Sequence, residues 1–190
     1  MTPAASDGRQ FKTVLIGDSG VGKTSIRREY MGESFISSHL STLGVDFARK
    51  DLVYKMVKTR LIIWDLAGQH DFESVRKHYY LGSHSIILVY SVIDRQSFDN
   101  ASKWLVEAYK YMGKLPPTLV LGNKTDIRVS CPAEQLVNYD EGKKFTEYYS
   151  ERLEVPAIFY ETSALTGENI QVAFTELIGL LIETYPKWWM

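Results

Sequence analysis

The sequence predicts an α/β fold of the P-loop class, in which a sheet presents a phosphate-binding loop, and three observations lead to this prediction. Residues 17–24 read Gly-Asp-Ser-Gly-Val-Gly-Lys-Thr and match the pattern G-x-x-x-x-G-K-[ST]. An apolar, β-branched run at 11–16 precedes this pattern, and a stretch without glycine or proline follows it, so the loop joins a predicted strand to a predicted helix. Residues 123–126, Asn-Lys-Thr-Asp, follow a second apolar run at 118–122. Doubly wound sheets bind their ligands at such strand ends.

The loop at 17–24 has the chemistry of a phosphate site. Its glycines allow a tight turn, and successive backbone N–H groups and a helix N-terminus can then point at one anion. Lys23 supplies positive charge to the β- and γ-phosphates and to the transferring phosphoryl group, and the Thr24 hydroxyl is a candidate Mg²⁺ ligand. A chance glycine turn is the alternative. We predict that nucleoside phosphate is bound by Ser19, Gly20, Val21, Gly22, Lys23, Thr24 and Ser25.

Length and composition fit one folded domain. The chain has 190 residues, of which 45% are apolar and 24% charged, as expected for one α/β unit with a sizeable core. A net charge of −1 argues against nucleic acid as the main partner. We expect a flexible N-terminal tail at 1–10, the domain at 11–186 and a C-terminal tail at 187–190.

Cysteine use and hydropathy indicate a cytoplasmic protein. Cys131 is the only cysteine, which excludes an intrachain disulfide and suits a reducing compartment. No apolar run approaches the roughly 18 residues that a membrane span needs, and residues 1–10 lack the apolar segment of a signal peptide. We expect a monomer, and peripheral association with the cytosolic face of a membrane stays open.

Residues 32–43 are predicted to form a polar loop after the first helix. Phe35 is an aromatic residue in this loop, which either covers a base or ribose or acts as a small hydrophobic anchor. Thr42 can offer its hydroxyl to Mg²⁺ and its backbone N–H to a γ-phosphate. A loop threonine means little alone, so the case for Thr42 depends on the motifs that follow.

A second phosphate-side motif follows a predicted hairpin of strands at 45–57 and 59–64. Asp65 comes directly after the buried strand, where a P-loop protein holds its second Mg²⁺ anchor, usually through water. Gly68 allows backbone to approach the γ-phosphate, and the Gln69 amide can orient an attacking water. The Asp-x-x-Gly turn is weak evidence alone but strong evidence beside a complete phosphate loop.

The rest of the chain alternates between predicted helices and strands. Apolar spacing predicts helices at 71–80, 95–112, 140–152 and 169–185, and strands at 85–92, 118–122 and 157–160. This alternation is typical of an α/β unit.

The motif at 123–126 predicts recognition of guanine. Asp126 can accept hydrogen bonds from guanine N1–H and its exocyclic amine, which adenine does not offer. Asn123 can connect this loop with the base and with the phosphate loop, and the Lys124 stem can lie along the purine face. Backbone N–H groups of the segment Ser163, Ala164 and Leu165 could reach the guanine carbonyl oxygen. A solvated polar turn is the alternative for an isolated motif of this kind.

Together these motifs resemble the small GTPases of the Ras superfamily over residues 10–186, and within it the Rab proteins. The Rab resemblance rests on TLGVDF, RLIIWDLAGQ, YYLGS and LVYSVID at 42–47, 60–69, 79–83 and 88–94. The resemblance implies a six-stranded, mostly parallel sheet with one antiparallel strand and five helices on its two faces. It also implies Mg²⁺, GTP and GDP as ligands. Effectors, exchange factors and GTPase-activating proteins would bind through switch regions near 35–46 and 66–82.

Several positions depart from the Rab pattern, at Leu66, His70, Asp71, Ser91 and Leu165. The segment 123–163 is also longer than in typical Rabs, near the place where Rho proteins carry an insert. Residues 187–190 contain no prenylatable cysteine. Either the chain is truncated or it does not use a prenyl anchor.

The sequence therefore predicts a GTP-binding switch with slow GTPase activity, Rab-like and acting in vesicle traffic. A Rho-like or divergent Ras-superfamily GTPase stays an alternative, as does a pseudo-GTPase that binds nucleotide without turnover. A P-loop ATPase or nucleotide kinase is a further alternative, against which the motif at 123–126 argues.

Overall fold

Six β-strands form one sheet in the computed structural model, which describes residues 8–33, 44–68 and 73–186. The strands are β1 (Arg9–Ile16), β2 (Val45–Tyr54), β3 (Val57–Leu66), β4 (Ser85–Ser91), β5 (Thr118–Asn123) and β6 (Ala157–Thr162). Their order across the sheet is β2-β3-β1-β4-β5-β6. β2 runs antiparallel to β3, and every other neighbouring pair is parallel. This confirms the predicted sheet.

Helices cover both faces of the sheet. They are α1 (Lys23–Met31), α2 (Glu73–Tyr80), α3 (Arg95–Asp99), α4 (Ala101–Met112), α5 (Tyr139–Leu153) and α6 (Ile170–Thr184). One apolar cluster joins α1 and α6 to the sheet, and a second joins α2, α4 and α5 to the opposite face. Between β5 and α5, the segment predicted to be longer than in Rabs contains two short 3-10 helices, Thr125–Ser130 and Ala133–Gln135. Among the described helices, none is long and apolar enough to cross a membrane.

The prediction of a single helix at 95–112 is wrong, because the structure contains two helices there, α3 and α4, which are divided at Asn100. This division gives six α-helices in the described chain where the resemblance implied five. Asp94 caps α3 by accepting a hydrogen bond from Ser97 N at 3.3 Å. The Asn100 side chain donates from Nδ2 to Asp18 Oδ2 at 2.7 Å, which links the junction of the two helices to the phosphate loop.

The predicted hairpin boundary at Val57 is also wrong. Lys55 and Met56 both have positive φ angles, of 44° and 68°, and form a two-residue turn. Tyr54 therefore ends β2 and pairs with Val57, which begins β3. The predicted end of the second strand at 64 is wrong as well, because β3 continues to Leu66. The predicted magnesium anchor Asp65 therefore lies within the strand instead of just after it.

The parallel strands bring the sequence motifs to one edge of the sheet. The carboxyl ends of β1, β3, β5 and β6 lead into the phosphate loop, the Asp-x-x-Gly turn, the motif at 123–126 and the segment 163–165. Gly17 is required where β1 meets the loop, because its φ is +135° and an added Cβ would lie 2.0 Å from Val89 O. The sheet thus positions the candidate site.

The environment of His84, just before β4, leads us to expect that the protein loses stability in acid. Its Nδ1 accepts a hydrogen bond from Lys12 N at 2.9 Å, and its ring contacts Phe11 and Tyr185. Burial, and then the charge of Lys12, lower the pKa of His84 below its usual value of 6.5. The unfolded chain therefore binds this proton more tightly than the native protein does. We expect full stability above about pH 6.5 and a progressive loss below it.

Urea unfolding at a series of pH values checks this expectation. His84→Asn keeps an acceptor for Lys12 N but no titrating ring, so its unfolding free energy should fall less between pH 7.5 and 5.5 than that of the wild type. His78→Asn changes an exposed histidine on α2 and is the matched control. Equal pH dependence in the wild type and His84→Asn would contradict the assignment.

Candidate nucleotide-binding site

Lys23 is held at the centre of the phosphate loop. It begins α1 directly after Gly22, whose φ is +102°. Its Nζ donates hydrogen bonds to Gly17 O and Asp18 O, both at 2.8 Å. Burial lowers the pKa of Lys23 to about 8, against the opposing effect of the Asp65 and Asp18 carboxylates. A desolvated ammonium bound to neutral carbonyls gains most from an incoming anion, which suits a phosphate site.

Two glycines allow the loops of the site to meet closely. An added Cβ at Gly68 would lie 2.5 Å from Lys23 Nζ and 2.6 Å from Ser19 N. An added Cβ at Gly22 would lie 2.3 Å from Asn123 Nδ2. Larger residues at these positions would force the phosphate loop away from the turn after β3 or from β5. The backbone around Lys23 is thus a preformed cradle.

Thr24 and Asp65 meet beside this cradle. The Thr24 hydroxyl donates a short hydrogen bond to Asp65 Oδ2. Asp65 is completely buried, and burial raises the pKa of its carboxyl, against the effects of Thr24, Lys23 and Arg27. Asp65 Oδ1 is buried without a hydrogen-bond partner among the described residues. An unpaired carboxylate oxygen next to a threonine hydroxyl is a donor set suited to Mg²⁺, and so fits the predicted metal site.

Asn123 connects the phosphate loop to the loop after β6. Its Nδ2 donates to Val21 O at 2.9 Å. Its Oδ1 accepts hydrogen bonds from Ala164 N at 3.1 Å and from Thr162 Oγ1 at 3.3 Å. The side chain is 1% exposed, so these bonds are shielded from water. Asn123 therefore holds the two predicted halves of the site, phosphate side and base side, in one arrangement.

Ser163 orients the predicted base-reading residue. Its Oγ donates to Asp126 Oδ1 at 2.5 Å and accepts hydrogen bonds from Leu165 N and Thr166 N, both at 3.2 Å. Lys124 has a φ of +75° and starts the 3-10 helix that carries Asp126. Asp126 is half-buried, and its Oδ1 is the oxygen that Ser163 engages. The bonding leaves Asp126 positioned by its neighbour, as a specificity residue requires.

The remaining predicted residues divide into two groups. Ser19 and Gly20 are exposed at the loop, Val21 is buried beneath it, Ser25 is half-buried in α1, and Leu165 is 53% exposed. Three predicted residues, Phe35, Thr42 and Gln69, lie outside the described residues, as do parts of both predicted switch regions. Their roles stay predictions.

Asp18 is a site residue that the sequence reasoning missed. Its Oδ1 accepts a hydrogen bond from Trp104 Nε1 at 2.6 Å, and its Oδ2 accepts the bond from Asn100. These contacts fix the variable second position of the phosphate loop to α4. The loop pattern contains Asp18, but nothing local in the sequence indicates partners so far along the chain.

Arg76 of α2 is a second residue that was missed. Its guanidinium is fully buried, donates twice to the Glu107 carboxylate at 2.7 Å, and donates to Ala67 O at 3.1 Å. The same guanidinium lies 4.6 Å from the Trp104 ring centroid. Arg76 thereby links the turn after β3 to α4, and so to the phosphate loop through Trp104.

The fold and the arrangement of these loops define a protein of the P-loop nucleotide-binding class. A family model described as "Ras family" matches residues 12–183. The chain therefore belongs to the Ras family of small GTPases, and as such it is a GTPase.

Several curated proteins resemble the chain over most of its length. The rice protein "Ras-related protein RIC1" is 37% identical over 89% of this chain and 79% of its own length. Human "Ras-related protein Rab-15" is 35% identical over 93% and 79%, respectively. Human "Ras-related protein Rab-26" is 39% identical over 88% of this chain and 62% of its own length. These similarities confirm the predicted Ras-superfamily resemblance and its Rab-like character.

Proposed function

We propose that this small GTPase is a Rab-like switch with slow intrinsic hydrolysis that acts in membrane or vesicle traffic. The bonding of Asn123 to Val21 and Ala164 supports the nucleotide-binding part of the proposal, because it joins the phosphate loop to the motif at 123–126, which is predicted to bind guanine. The predicted domain at 11–186, together with Arg9 and Gln10 at the start of β1, would form the GTPase domain, and the protein would act as a monomer. Partner proteins would then bind the GTP form and the GDP form differently.

In this proposal the chain binds the nucleotide by charge and by directed N–H groups. The loop amides at 19–25 bind phosphate oxygens, and the Lys23 ammonium compensates charge on the β- and γ-phosphates. Asp126, positioned by Ser163, accepts the N1–H and amine hydrogens of guanine, and Lys124 lies along the base. Phe35 and the segment 163–165 complete the contacts to the nucleoside.

Magnesium belongs to the same proposal. Thr24 and, in the GTP form, Thr42 would be ligands, and Asp65 would act through water. When bound there, Mg²⁺ compensates charge on the β- and γ-phosphates. The buried Asp65 Oδ1, which has no partner within the described part of the chain, supports this assignment. The backbone at Gly68, which lies against Lys23 and Ser19, would approach the γ-phosphate side.

A cluster of three aromatic rings supports partner binding at the predicted switch regions. Phe47 of β2 is 59% exposed, and its ring centroid lies 5.2 Å from that of Trp64. Trp64 in turn lies 5.0 Å from Tyr79 of α2. The three rings thus join β2, β3 and α2, and Tyr79 of α2 belongs to the predicted switch region near 66–82. An aromatic cluster with one exposed and two half-buried members favours a protein interface, here with effectors or regulators.

The hydrolysis step is tested at Gln69. In the proposal the Gln69 amide orients the attacking water, and the intrinsic rate is on the order of 10⁻⁴ s⁻¹, raised about 10⁵-fold by an activating partner. Gln69→Leu has a similar volume without the amide, so GTP binding should persist while single-turnover hydrolysis falls about tenfold or more. GTP-loaded wild type and variant are compared with and without cell extract as a source of activator. Equal measurable rates of the two proteins in both conditions would remove Gln69 from catalysis.

A separate competition assay tests the choice of nucleotide. ATP that competes equally with GTP for binding would indicate another P-loop enzyme.

The trafficking role is tested by the location of two variants in cells. Gln69→Leu should favour the GTP form, and Thr24→Asn should bind GTP with Mg²⁺ less well than GDP because it lacks a metal ligand. Fluorescent fusions of the full chain are expected to concentrate Gln69→Leu on a membrane compartment and to leave Thr24→Asn diffuse. The same distribution for both variants would argue against nucleotide-dependent recruitment to membranes.

A further inference from the structure

Arg27 is a buried arginine beside the predicted magnesium anchor. Lys23, Ile26, Arg27 and Tyr30 recur at helical spacing and form the buried face of α1. Arg27 is 5% exposed. An arginine keeps its charge in proteins, and a buried charge is costly unless other charges compensate it. The partners of Arg27 therefore indicate what it does.

Two aspartates compensate this charge. Arg27 Nη2 donates to Asp46 Oδ2 at 2.8 Å, and Arg27 Nε lies 3.9 Å from Asp65 Oδ2. Asp46 and Asp65 are directly opposite each other in the antiparallel β2–β3 pair. Like charges in such a position repel, and Arg27 lies where it attracts both. A third carboxylate, Glu33, is 3.8 Å from Nη1 but half exposed.

The contacts of Asp65 divide between its two oxygens. Oδ2 accepts the hydrogen bond from Thr24 and is the oxygen nearest Arg27. Oδ1 has no hydrogen-bond partner in the described chain, and neither has Arg27 Nε. One buried carboxylate therefore has a permanent cation on one side and an unpaired oxygen on the other. A guanidinium and a divalent cation would depend on the same negative charge.

We propose that Arg27 is a positioning residue and an internal counter-ion of Asp65. Through its charge, Arg27 sets the Mg²⁺ concentration at which the protein retains its nucleotide. This inference rests on the proposed function, in which Thr24 and Asp65 hold Mg²⁺. A fixed positive charge next to Asp65 reduces the attraction of that carboxylate for another cation. Asp46 moderates the effect because it compensates part of the Arg27 charge.

The test measures release of a fluorescent GDP analogue at Mg²⁺ concentrations buffered from nanomolar to millimolar. Each release curve has a midpoint, the Mg²⁺ concentration at which retention is half maximal. Arg27→Met removes the charge and should move the midpoint to an about tenfold lower Mg²⁺ concentration. Arg27→Gln also removes the charge but keeps an amide donor for Asp46, and it should shift the midpoint in the same direction. It replaces Arg27→Met in the test if the methionine variant does not fold. Arg27→Lys keeps the charge and should stay close to the wild type.

Arg28→Gln is the matched control, because it removes the neighbouring arginine of α1, which lies 3.9 Å from Glu33 and is paired with it alone among the contacts described. Urea unfolding of each variant ensures that folded proteins are compared. An unchanged or higher midpoint in both neutral Arg27 variants would overturn the inference, as would an Arg27→Lys midpoint that moves as far as theirs. Release from the wild type that does not respond to Mg²⁺ at all would instead contradict the magnesium site of the proposed function.

Discussion

Asp126→Asn is expected to weaken GTP binding by roughly 10⁴-fold, since a site built to hydrogen-bond a substrate loses that much when the pairing fails. The carboxylate accepts two hydrogens from guanine in the proposed site, whereas an amide presents an N–H₂ group to one of them. Asp126 Oδ1 already accepts the Ser163 hydroxyl, and the asparagine carbonyl can retain this bond. The substitution therefore changes the chemistry presented to the base without removing the support of the side chain.

The Asp126→Asn variant should gain affinity for xanthosine triphosphate as it loses affinity for GTP. The C2 carbonyl of xanthosine triphosphate can accept the hydrogen bond of the new amide, so the variant should prefer this nucleotide to GTP. Competition against a fluorescent nucleotide measures both affinities. Asp140→Asn removes an exposed carboxylate of α5 and is the control for charge alone. An unchanged preference for GTP over xanthosine triphosphate in Asp126→Asn would remove Asp126 from the base pocket.

Arg76→Met is expected to lower the free energy of unfolding by about 3–5 kcal/mol, the cost of removing one partner from a buried ion pair. Glu107 is 14% exposed, and two of the hydrogen bonds to its carboxylate come from Arg76. Without the guanidinium, the carboxylate keeps the hydroxyl of Tyr80, at 2.8 Å, but loses its compensating charge. Ala67 O, within the predicted second switch region, also loses a donor.

Urea unfolding measures the change, and two further proteins make it specific. Lys77→Met alters the exposed neighbour on α2 and should have little effect. The double variant Arg76→Met with Glu107→Leu removes both charges and should recover much of the lost stability, because an apolar replacement of a buried pair is often neutral. A loss in Arg76→Met no larger than in Lys77→Met would show that the buried pair contributes little.

The coupling between the phosphate loop and α4 explains why the site spans much of the fold. Asp18 bonds to Asn100 and Trp104, and Trp104 packs on the guanidinium of Arg76. Arg76 then bonds to Ala67 O, one residue before Gly68. A chain of contacts thus leads from the loop that would bind phosphate to the turn that would approach it. Both segments belong to one bonded unit.

Contiguous motifs are the part of this protein that the sequence by itself determined. The phosphate loop, Asp65 and the motif at 123–126 were predicted because each depends on neighbouring residues: a glycine that permits a turn, a lysine at a helix start, a carboxylate at a strand end. The alternation of apolar runs likewise predicted the strands and most helices, whereas the arrangement of the sheet was implied by the resemblance to small GTPases. The predictions for Phe35, Thr42 and Gln69 have the same origin, and they lie outside the described residues.

The tertiary structure alone decided which distant side chains complete the site. Asp18 and Trp104 are 86 positions apart, and Asp126 and Ser163 are 37 apart. Their pairing depends on the order and register of the strands, which no local pattern contains. The burial of Arg27 follows the spacing of α1, but its two aspartates meet only because β2 pairs with β3 in one register. Local backbone chemistry is encoded in short segments, whereas charge compensation in a buried site requires the whole sheet.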